Sequence, residues 1–479
     1  MDKLKFHGIK ASKELSSYLT NSNFIIYKIL SGKYYRTKMD WEKEKKLNEN
    51  EIEKLANNCN KKSIMKILNV CIDYEKTDYE NTSKIKSGLQ YLFETLSTDK
   101  QLFLFIIDKY LEKNTPLKIN PSPVIKELFK IIDYKNVYEL INQYNYDQRN
   151  TWEFSYYENL PSKFISKKSV AGLYQFLSKR EDENLKSSPY RDLSFLENYK
   201  KVEPDIFIKV SRIIIKKYEY SPFVFSIYFG NMFNQYINSP EYIINIYKEN
   251  MNLLKNIYLK LLKFNDNIDH YGDFLLTLIN YDSSFIKEYL DFLIKENDKY
   301  FYKSNNRLSV IWNSKYFIDY ADKIFNNVIK YNDLHLFEVS RFIESFIISQ
   351  NKEENIAERQ DKWIEHFINI NNDNQKLMKV LFSSITKLSA NLRRKHILHL
   401  IQKNSDPDLF KSLQLQTNIY SGRGSFISNM ENKINFLSSL LPEFVGIEYI
   451  EHKVKIKEDI KNLQRIIEKE KINKLLEFN

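Results

Sequence analysis

Residues that could bind a phosphate in a glycine-rich loop are few in this chain. A P-loop needs a glycine five residues before a Gly-Lys pair and a serine or threonine directly after it, so that backbone N–H groups surround the phosphates. The chain's one Gly-Lys pair is Gly32-Lys33, and the two required positions hold Tyr27 and Tyr34. The sequence therefore predicts no nucleoside-triphosphate site of this type.

Two other glycine signatures are also incomplete. A dinucleotide-binding fingerprint that starts at Gly422 requires a third glycine, and the chain has Ile427 at that position. A nucleophile elbow needs the pattern Gly-x-Ser-x-Gly, which does not occur in the sequence. We therefore expect neither a Rossmann-type oxidoreductase nor an α/β-hydrolase, and we expect no cofactor.

Histidines and acidic residues stand at spacings reminiscent of metal sites in two places. His396 and His399 are three residues apart and would share a helix face, but no third ligand is evident nearby. The segment 265–273 has the oxygen-rich composition of a calcium loop. An EF-hand would need glycine and glutamate where His270 and Leu276 stand. We expect solvated or core histidines, a turn at a helix end in 265–273, and no metal.

Cysteine chemistry is limited by the number of cysteines. The chain has two, Cys59 and Cys71, which excludes a disulfide framework and a four-thiolate zinc site. Cys71 lies in the apolar run 67–72, so we expect a buried and inert side chain. No catalytic residue is assigned from the sequence. An enzyme whose active site leaves no sequence signature stays an open alternative.

Basic residues are the remaining candidates for surface chemistry. Arg393, Arg394 and Lys395 stand together on a predicted helix, and Arg423 follows in a glycine-containing loop. In one interpretation, these cations form a basic ridge that contacts phosphates while exposed tyrosines stack on unpaired bases. In the other, they are solvated side chains. We name Arg393, Arg394, Lys395 and Arg423 as the candidate contacts to an anionic ligand.

The composition of the chain indicates which elements position these residues. Glycine (9) and proline (10) together make about 4% of the 479 residues, whereas they average about 12% of protein sequences. Sheets and hairpins depend on glycine for positive φ and tight turns. Aromatic residues make 15% of the chain, hydrophobic residues 43%, and the net charge is +11. We expect an all-α protein whose basic excess permits an anionic partner without requiring one.

Asparagine and aspartate recur where amphipathic runs end. These terminators lie at 32, 35, 40 and 33 residues from one another, at Asp266, Asp298, Asp333, Asp373 and Asp406. Asparagine tolerates the left-handed conformation of a helix end, and aspartate can cap the next helix. Two stacked antiparallel helices with their turns occupy a similar length in tetratricopeptide and HEAT arrays. We predict a degenerate α-solenoid of helix pairs, and the alternative is chance recurrence in an Asn-rich chain.

Four segments follow from these features. The segment 1–115 is predicted as an N-terminal helical region, 116–203 as an irregular helical region with linkers, 204–420 as the helical-repeat array, and 421–479 as a C-terminal helical hairpin. The last helix carries a heptad-like apolar seam, made of Tyr449, Ile456, Ile460, Leu463 and Ile467. The hairpin could cap the array or dock a second chain.

The C-terminal block 421–478 follows the array and reads SGRGSFISNMENKINFLSSLLPEFVGIEYIEHKVKIKEDIKNLQRIIEKEKINKLLEF. The array and this block together resemble the C-terminal helical-repeat regions of large bacterial anti-phage defence proteins, the STAND-type NTPases and their relatives. The resemblance covers about 200–479. It implies a repeat array that grips a foreign protein as a sensor, while an N-terminal NTPase and an effector carry out the chemistry. Because the chain has no Walker motif, no functional residue is carried over.

Three hypotheses about function follow. The first is a non-enzymatic helical-repeat scaffold or sensor that binds a protein partner in a bacterial cytoplasm, in anti-phage defence, through a surface rich in tyrosine and basic residues. The alternative is a nucleic-acid-binding helical protein that uses the ridge around Arg393. The third is an enzyme with an unrecognised site. Because no run of about 18 uncharged apolar residues occurs, we expect no association with a membrane.

Overall fold

A computed structural model describes the protein over residues 21–32, 41–75, 82–115, 117–179, 193–218, 221–234, 236–265, 267–295, 305–331, 354–386, 388–413 and 426–477, with positions 339, 342–343, 346–347 and 415. Every regular element in these ranges is an α-helix or a short 3-10 helix, and no strand occurs among them. The predicted all-α fold is therefore confirmed. No helix in the described part of the chain combines the length and the apolar character that a bilayer crossing requires.

The chain divides into two compact units, Met1–Tyr228 and Phe229–Asn479. The described helices up to the boundary are α1 (Ser22–Ser31), α2 (Trp41–Asn57), α3 (Lys61–Glu75), α4 (Thr82–Leu96), α5 (Lys100–Glu112), α6 (Pro121–Ile131), α7 (Tyr134–Asn142), α8 (Arg149–Asn159), α9 (Lys167–Lys179), α10 (Ile206–Tyr218) and α11 (Pro222–Phe229). Alternate helices pack together: α2, α4, α6 and α8 form one row, and α1, α3 and α5 form another. Consecutive helix pairs produce this kind of double row.

The second unit follows the same pattern. Its described helices are α12 (Pro240–Tyr247), α13 (Met251–Phe264), α14 (Asp273–Tyr281), α15 (Phe285–Lys295), α16 (Asn305–Leu308), α17 (Phe317–Val328), α18 (Glu354–Asn371), α19 (Gln375–Ser384), α20 (Ala390–Lys403), α21 (Pro407–Lys411), α22 (Phe426–Leu440) and α23 (Ile450–Glu477). Helices α13, α15, α17, α18 and α20 pack in one continuous row, and α12, α14 and α16 pack in a second.

Helix ends in the second unit follow the period of the predicted terminators. Four helices of the longer row have described ends, at Phe264, Val328, Asn371 and Lys403, and each end lies two to five residues before a terminator. Of the terminators, Asp406 accepts a hydrogen bond from the first turn of α21, as expected of a helix cap. Asp266, Asp298 and Asp333 lie outside the described residues.

Two polar contacts between neighbouring helix pairs join residues that are about one repeat length apart in the sequence. The Tyr281 hydroxyl donates to the carbonyl of Lys248, 33 residues earlier in the chain. The side-chain amide of Asn404 donates to the carbonyl of Asn372, 32 residues earlier. These contacts agree with a helical repeat, and the arrangement of the pairs into a solenoid stays a prediction.

The predicted C-terminal hairpin is present, since α22 and α23 pack against each other. Of its apolar seam, Ile456 and Ile467 are buried, and Tyr449, Ile460 and Leu463 are half-buried. The short helix α21 also packs on α23. The predicted segment boundaries at 115/116 and 203/204 lie inside the first compact unit, and the boundary at 420/421 lies inside the second.

Candidate functional site

The predicted basic cluster lies on α20, where its arginines contact the C-terminal hairpin. The Arg393 guanidinium lies 4.5 Å from the centre of the Phe436 ring, and burial lowers the pKa of this arginine below its ordinary value. Arg394 forms an ion pair with Glu443. Both contacts connect α20 to α22 and to the turn that follows it.

Lys395 is held by two carboxylates of α18. Its Nζ lies 2.6 Å from Asp361 Oδ2 and 2.6 Å from Glu365 Oε1, and hydrogen bonding to these groups raises the pKa of the lysine. A phosphate would have to compete with these carboxylates, as it would with the carboxylate on Arg394. Arg423 lies outside the described residues. The role of the four predicted residues as an anion site therefore stays a prediction.

The two histidines of α20 have different environments. His396 is fully buried, its Nε2 lies 3.1 Å from Asp361 Oδ1, and burial lowers its pKa to about 4. His399 has its Nε2 3.0 Å from the side-chain oxygen of Asn369. His396 is thus a core histidine, one of the two expected alternatives. Within the described ranges, no group of three or more His, Cys, Asp or Glu side chains could hold a metal ion.

Both cysteines lie in the first unit. Cys71 on α3 is fully buried, as predicted from its apolar neighbours. Cys59 is half-buried, and this burial raises the pKa of its thiol. Because the thiolate is the reactive form, a raised pKa disfavours Cys59 as a nucleophile at neutral pH.

The second unit exposes large side chains at the connections that precede α12 and α14. Tyr236 is 83% exposed, Tyr271 is 59% exposed and Ile237 is 51% exposed. Tyr242, in the first turn of α12, is also exposed. We call Tyr236, Ile237, Tyr242 and Tyr271 the tyrosine patch. Aromatic side chains with a polar tip are the kind of residue that anchors protein interfaces.

One aromatic contact joins the helical residues that flank these two connections. The rings of Phe233 and Phe274 lie 5.3 Å apart in an edge-to-face arrangement, and α12 packs on α14. Tyr236 follows Phe233 by three residues, and Tyr271 precedes Phe274 by three. Because consecutive Cα atoms are 3.8 Å apart, each tyrosine backbone lies within about 11 Å of the residue that makes this contact.

A buried carboxylate holds the loop that carries Tyr271. Asp269 accepts a hydrogen bond from the Tyr258 hydroxyl of α13 at 2.7 Å. It also accepts the backbone N–H groups of Phe274 and Leu275, at 3.1 and 2.9 Å. The N–H groups in the first turn of a helix have no carbonyl of the same helix to bond. The two bonds to Asp269 satisfy such groups in α14. Burial raises the pKa of Asp269 to about 6.

The backbone of the same loop is also constrained. Asp269 and Gly272 have positive φ angles of 46° and 81°, a region that glycine adopts without strain. A Cβ atom on Gly272 would lie 2.8 Å from the carbonyl oxygen of Arg307. The Arg307 Nε in turn donates to the Asp269 carbonyl at 3.1 Å. The loop is therefore attached to α13, α14 and α16.

Sequence reasoning did not identify the tyrosine patch. The segment 265–273 is conspicuous in the sequence for its calcium-like composition, and the structure confirms the expected helix-end turn over the described residues 267–271. The available signal was a tyrosine directly before the glycine of that turn. With 34 tyrosines in the chain, most of them at helical spacing, residue type alone does not separate an exposed tyrosine from a core one.

Comparison of the chain with protein-family models, with curated proteins and with solved structures finds no match in any of the three. The resemblance to the sensor regions of STAND-type NTPases therefore stays a prediction. The function of this chain has to follow from its own residues and their geometry.

Proposed function

We propose that this chain is a non-enzymatic helical-repeat scaffold that binds a protein partner through the tyrosine patch of its second unit. The observation that carries the proposal is the pair Tyr236 and Tyr271, which are both more than half exposed and lie on neighbouring connections. The bonds of Asp269 and Arg307 hold the loop that presents Tyr271. A side chain on a loop that is already ordered loses less conformational entropy when a partner binds.

The charge beside the patch favours a protein over a nucleic acid. Glu241 follows Pro240 in the first turn of α12, Asp273 is the first residue of α14, and both are exposed. Carboxylates at these positions repel phosphates, whose neutralisation by cations dominates nucleic-acid binding. A protein partner with an apolar pocket and a basic rim complements tyrosines flanked by acidic residues.

The proposed setting is the bacterial cytoplasm, with the chain as the sensor of an anti-phage defence system. Support comes from the resemblance of the array and the hairpin to sensor regions of STAND-type NTPases. Further support comes from the repeated contacts between helix pairs, since stacked pairs build extended binding surfaces. A stable protein interface buries at least about 1,000 Å² in total, so the patch would supply the anchors of a larger contact.

Affinity purification of the tagged chain from its native host tests the proposal. We expect a stoichiometric protein partner that survives nuclease treatment and moderate salt, and that is lost from the Tyr236→Ala/Tyr271→Ala variant. Tyr316→Ala is the matched control, because Tyr316 is 46% exposed on a different connection of the same unit. A partner that both variants retain, or recovery of nucleic acid alone, would contradict the proposal.

Nucleic-acid binding through the basic cluster has less support. The carboxylates of Glu443, Asp361 and Glu365 already neutralise Arg394 and Lys395. The Arg393→Ala/Arg394→Ala variant distinguishes the two functions. If the cluster binds nucleic acid, affinity falls steeply with salt and is reduced in this variant; under our proposal the variant affects only the attachment of α20 to the hairpin.

A further inference from the structure

The first unit contains a polar cleft that the proposed function does not use. It lies between α7, α8 and α9 and has a volume of about 330 Å³, which is at the small end of the range for ligand-binding clefts. The side chains that matter for its chemistry are those of Tyr138, Arg149, Glu153, Gln175, Phe176 and Lys179. Two of these side chains are cations and one is a carboxylate.

Arg149 is oriented by the helix that precedes it. Its Nε donates to the side-chain oxygen of Asn142 at 2.9 Å, and the Asn142 amide nitrogen donates to the carbonyl of Tyr138 at 3.0 Å. These two bonds anchor the guanidinium to the backbone of α7. Its two terminal nitrogens have no hydrogen-bond or ion-pair partner among the described residues, so they remain available to a ligand in the cleft.

Lys179 is the second cation of the cleft and Glu153 is its acid, and the two differ in their polar partners. In the described part of the chain, the ammonium group of Lys179 has no acidic partner within ion-pair distance. Glu153, by contrast, accepts a hydrogen bond from the Tyr138 hydroxyl at 2.9 Å. Among the described side chains that line the cleft, Arg149 and Lys179 are cations and Glu153 is an acid.

We propose that this cleft binds a single carboxylate group, carried either by a small organic acid or by the C-terminus of a peptide chain. The planar fork of arginine matches the two oxygens of a carboxylate, and Lys179 adds a second positive charge. A carboxylate brings one negative charge to a cleft that already contains the acid Glu153, whereas a phosphate dianion would bring two. Gln175 offers an amide that can bond a neighbouring peptide group or hydroxyl, and Phe176 supplies an apolar wall.

Calorimetric titration of the full chain with N-acetylglycine tests the proposal, and the neutral analogue N-acetylglycinamide serves as the ligand control. We expect weak binding of the acid, in the millimolar range, and none of the amide. The Arg149→Gln and Lys179→Gln variants should each reduce the affinity about tenfold, which is the loss of one charge-assisted contact. Lys168→Gln should bind normally, because Lys168 is an exposed lysine of the same helix outside the cleft.

A second variant guards against loss of structure when the bond between Arg149 and Asn142 is removed. Gln175 is exposed, and Gln175→Glu adds a negative charge to the cleft without deleting a protein contact. We expect this variant to melt like the parent chain and to lose N-acetylglycine binding. Equal binding of the acid and the amide, unchanged binding in Gln175→Glu, or binding of inorganic phosphate in preference to the acid would overturn the proposal.

The same titration separates the two sources of the carboxylate. Tighter binding of tripeptides with a free C-terminus than of acetate and succinate assigns the site to a chain terminus. Equal or tighter binding of the small acids assigns it to a free organic acid. The partner test on Tyr236 and Tyr271 concerns the other unit, so failure of either proposal leaves the other standing.

Discussion

At the scale of single residues, the Asp269 carboxylate and the Asp269 carbonyl together join three helices of the second unit. The carboxylate accepts hydrogen bonds from Tyr258 on α13 and from the first turn of α14, and the carbonyl accepts one from Arg307 on α16. The carboxylate can accept the hydrogen bonds from the Tyr258 hydroxyl and the two backbone N–H groups at once, because it carries lone pairs on both oxygens. A carboxamide has acceptor capacity on one oxygen alone.

Asp269→Asn should therefore destabilise the protein by about 2 kcal/mol, because its NH₂ group would face donors and leave a buried N–H unsatisfied. The midpoint of urea-induced unfolding measures this effect. Glu249→Gln is the matched control, since it makes the same chemical change at an exposed position of the same unit. An Asp269→Asn protein as stable as this control would show that the bonds to Asp269 do not hold the loop.

A second prediction concerns the buried imidazole of His396. Its pKa is lowered to about 4 by burial, whereas histidine in an unfolded chain titrates near 6.5. Between these values the unfolded state binds more protons than the folded state. Stability is therefore lost as the pH falls from 6.5 towards 4, and it is regained as the pH rises.

Replacement of His396 by glutamine should reduce this acid-induced loss of stability by about 2 kcal/mol. The charges of Asp361, Glu365, Lys395 and His399 also affect the pKa of His396. These four residues are present in both proteins, so the difference between the two isolates the imidazole of His396. Unfolding in urea at a series of pH values from 7 to 4 measures it. His270→Gln changes an exposed histidine and serves as the control, so its free energy of unfolding should vary with pH as that of the parent protein does. If the free energy of unfolding of His396→Gln also varied with pH as in the parent, burial of the His396 imidazole would not explain the acid-induced loss.

At the scale of elements, close approach between helices depends on a small residue at the crossing of α1 and α4. A Cβ atom on Gly88 would lie 2.0 Å from the carbonyl oxygen of Leu30. This oxygen belongs to the backbone of α1, so it cannot move as the end of a flexible side chain can. The two helices must separate if residue 88 carries a side chain.

Gly88→Ala should destabilise the first unit by about 3 kcal/mol, the upper part of the usual range for overpacking. Alanine has a higher helix propensity than glycine, so a loss of stability can be attributed to the crossing and not to α4 itself. Ser87→Ala, at an exposed neighbour, is the control and should change little. Thermal unfolding followed by circular dichroism compares the two, and an unaltered Gly88→Ala protein would mean that α1 does not dock on α4 as described.

At the scale of the whole molecule, the division into two compact units separates the sites discussed above. The carboxylate cleft and the Gly88 crossing belong to the first unit, and the tyrosine patch and the Asp269 loop belong to the second. Gly88 approaches the backbone of α1, whereas Asp269 bonds to residues of α13, α14 and α16. Substitutions at such independent positions usually add in their effect on stability.

The Gly88→Ala/Asp269→Asn double variant should therefore lose the sum of the two single losses, to within about 0.5 kcal/mol. Urea unfolding of the two single variants and the double variant gives the three free energies. A deviation of more than about 1 kcal/mol would indicate that the units are energetically coupled.

The sequence by itself determined the fold class and the approximate spacing of helix ends along the chain. Scarcity of glycine and proline excludes sheets for a physical reason, since tight turns need positive φ, and this reason holds without knowledge of any contact. The Asn/Asp terminators are equally local, because a cap bonds backbone groups within a few residues. The helix ends near Asp373 and Asp406 were therefore predictable, and so was the burial of Cys71 within an apolar run.

Only the tertiary structure decided which polar groups are paired and which aromatic rings reach solvent. Lys395 meets its carboxylates 34 and 30 residues earlier in the chain, and Arg394 meets Glu443 across 49 residues, so no local pattern distinguishes them from solvated cations. The loop that carries the exposed Tyr271 is bonded through Asp269 to Arg307, 38 residues away. Composition and spacing describe one helix at a time, whereas sites here form where separate helix pairs meet.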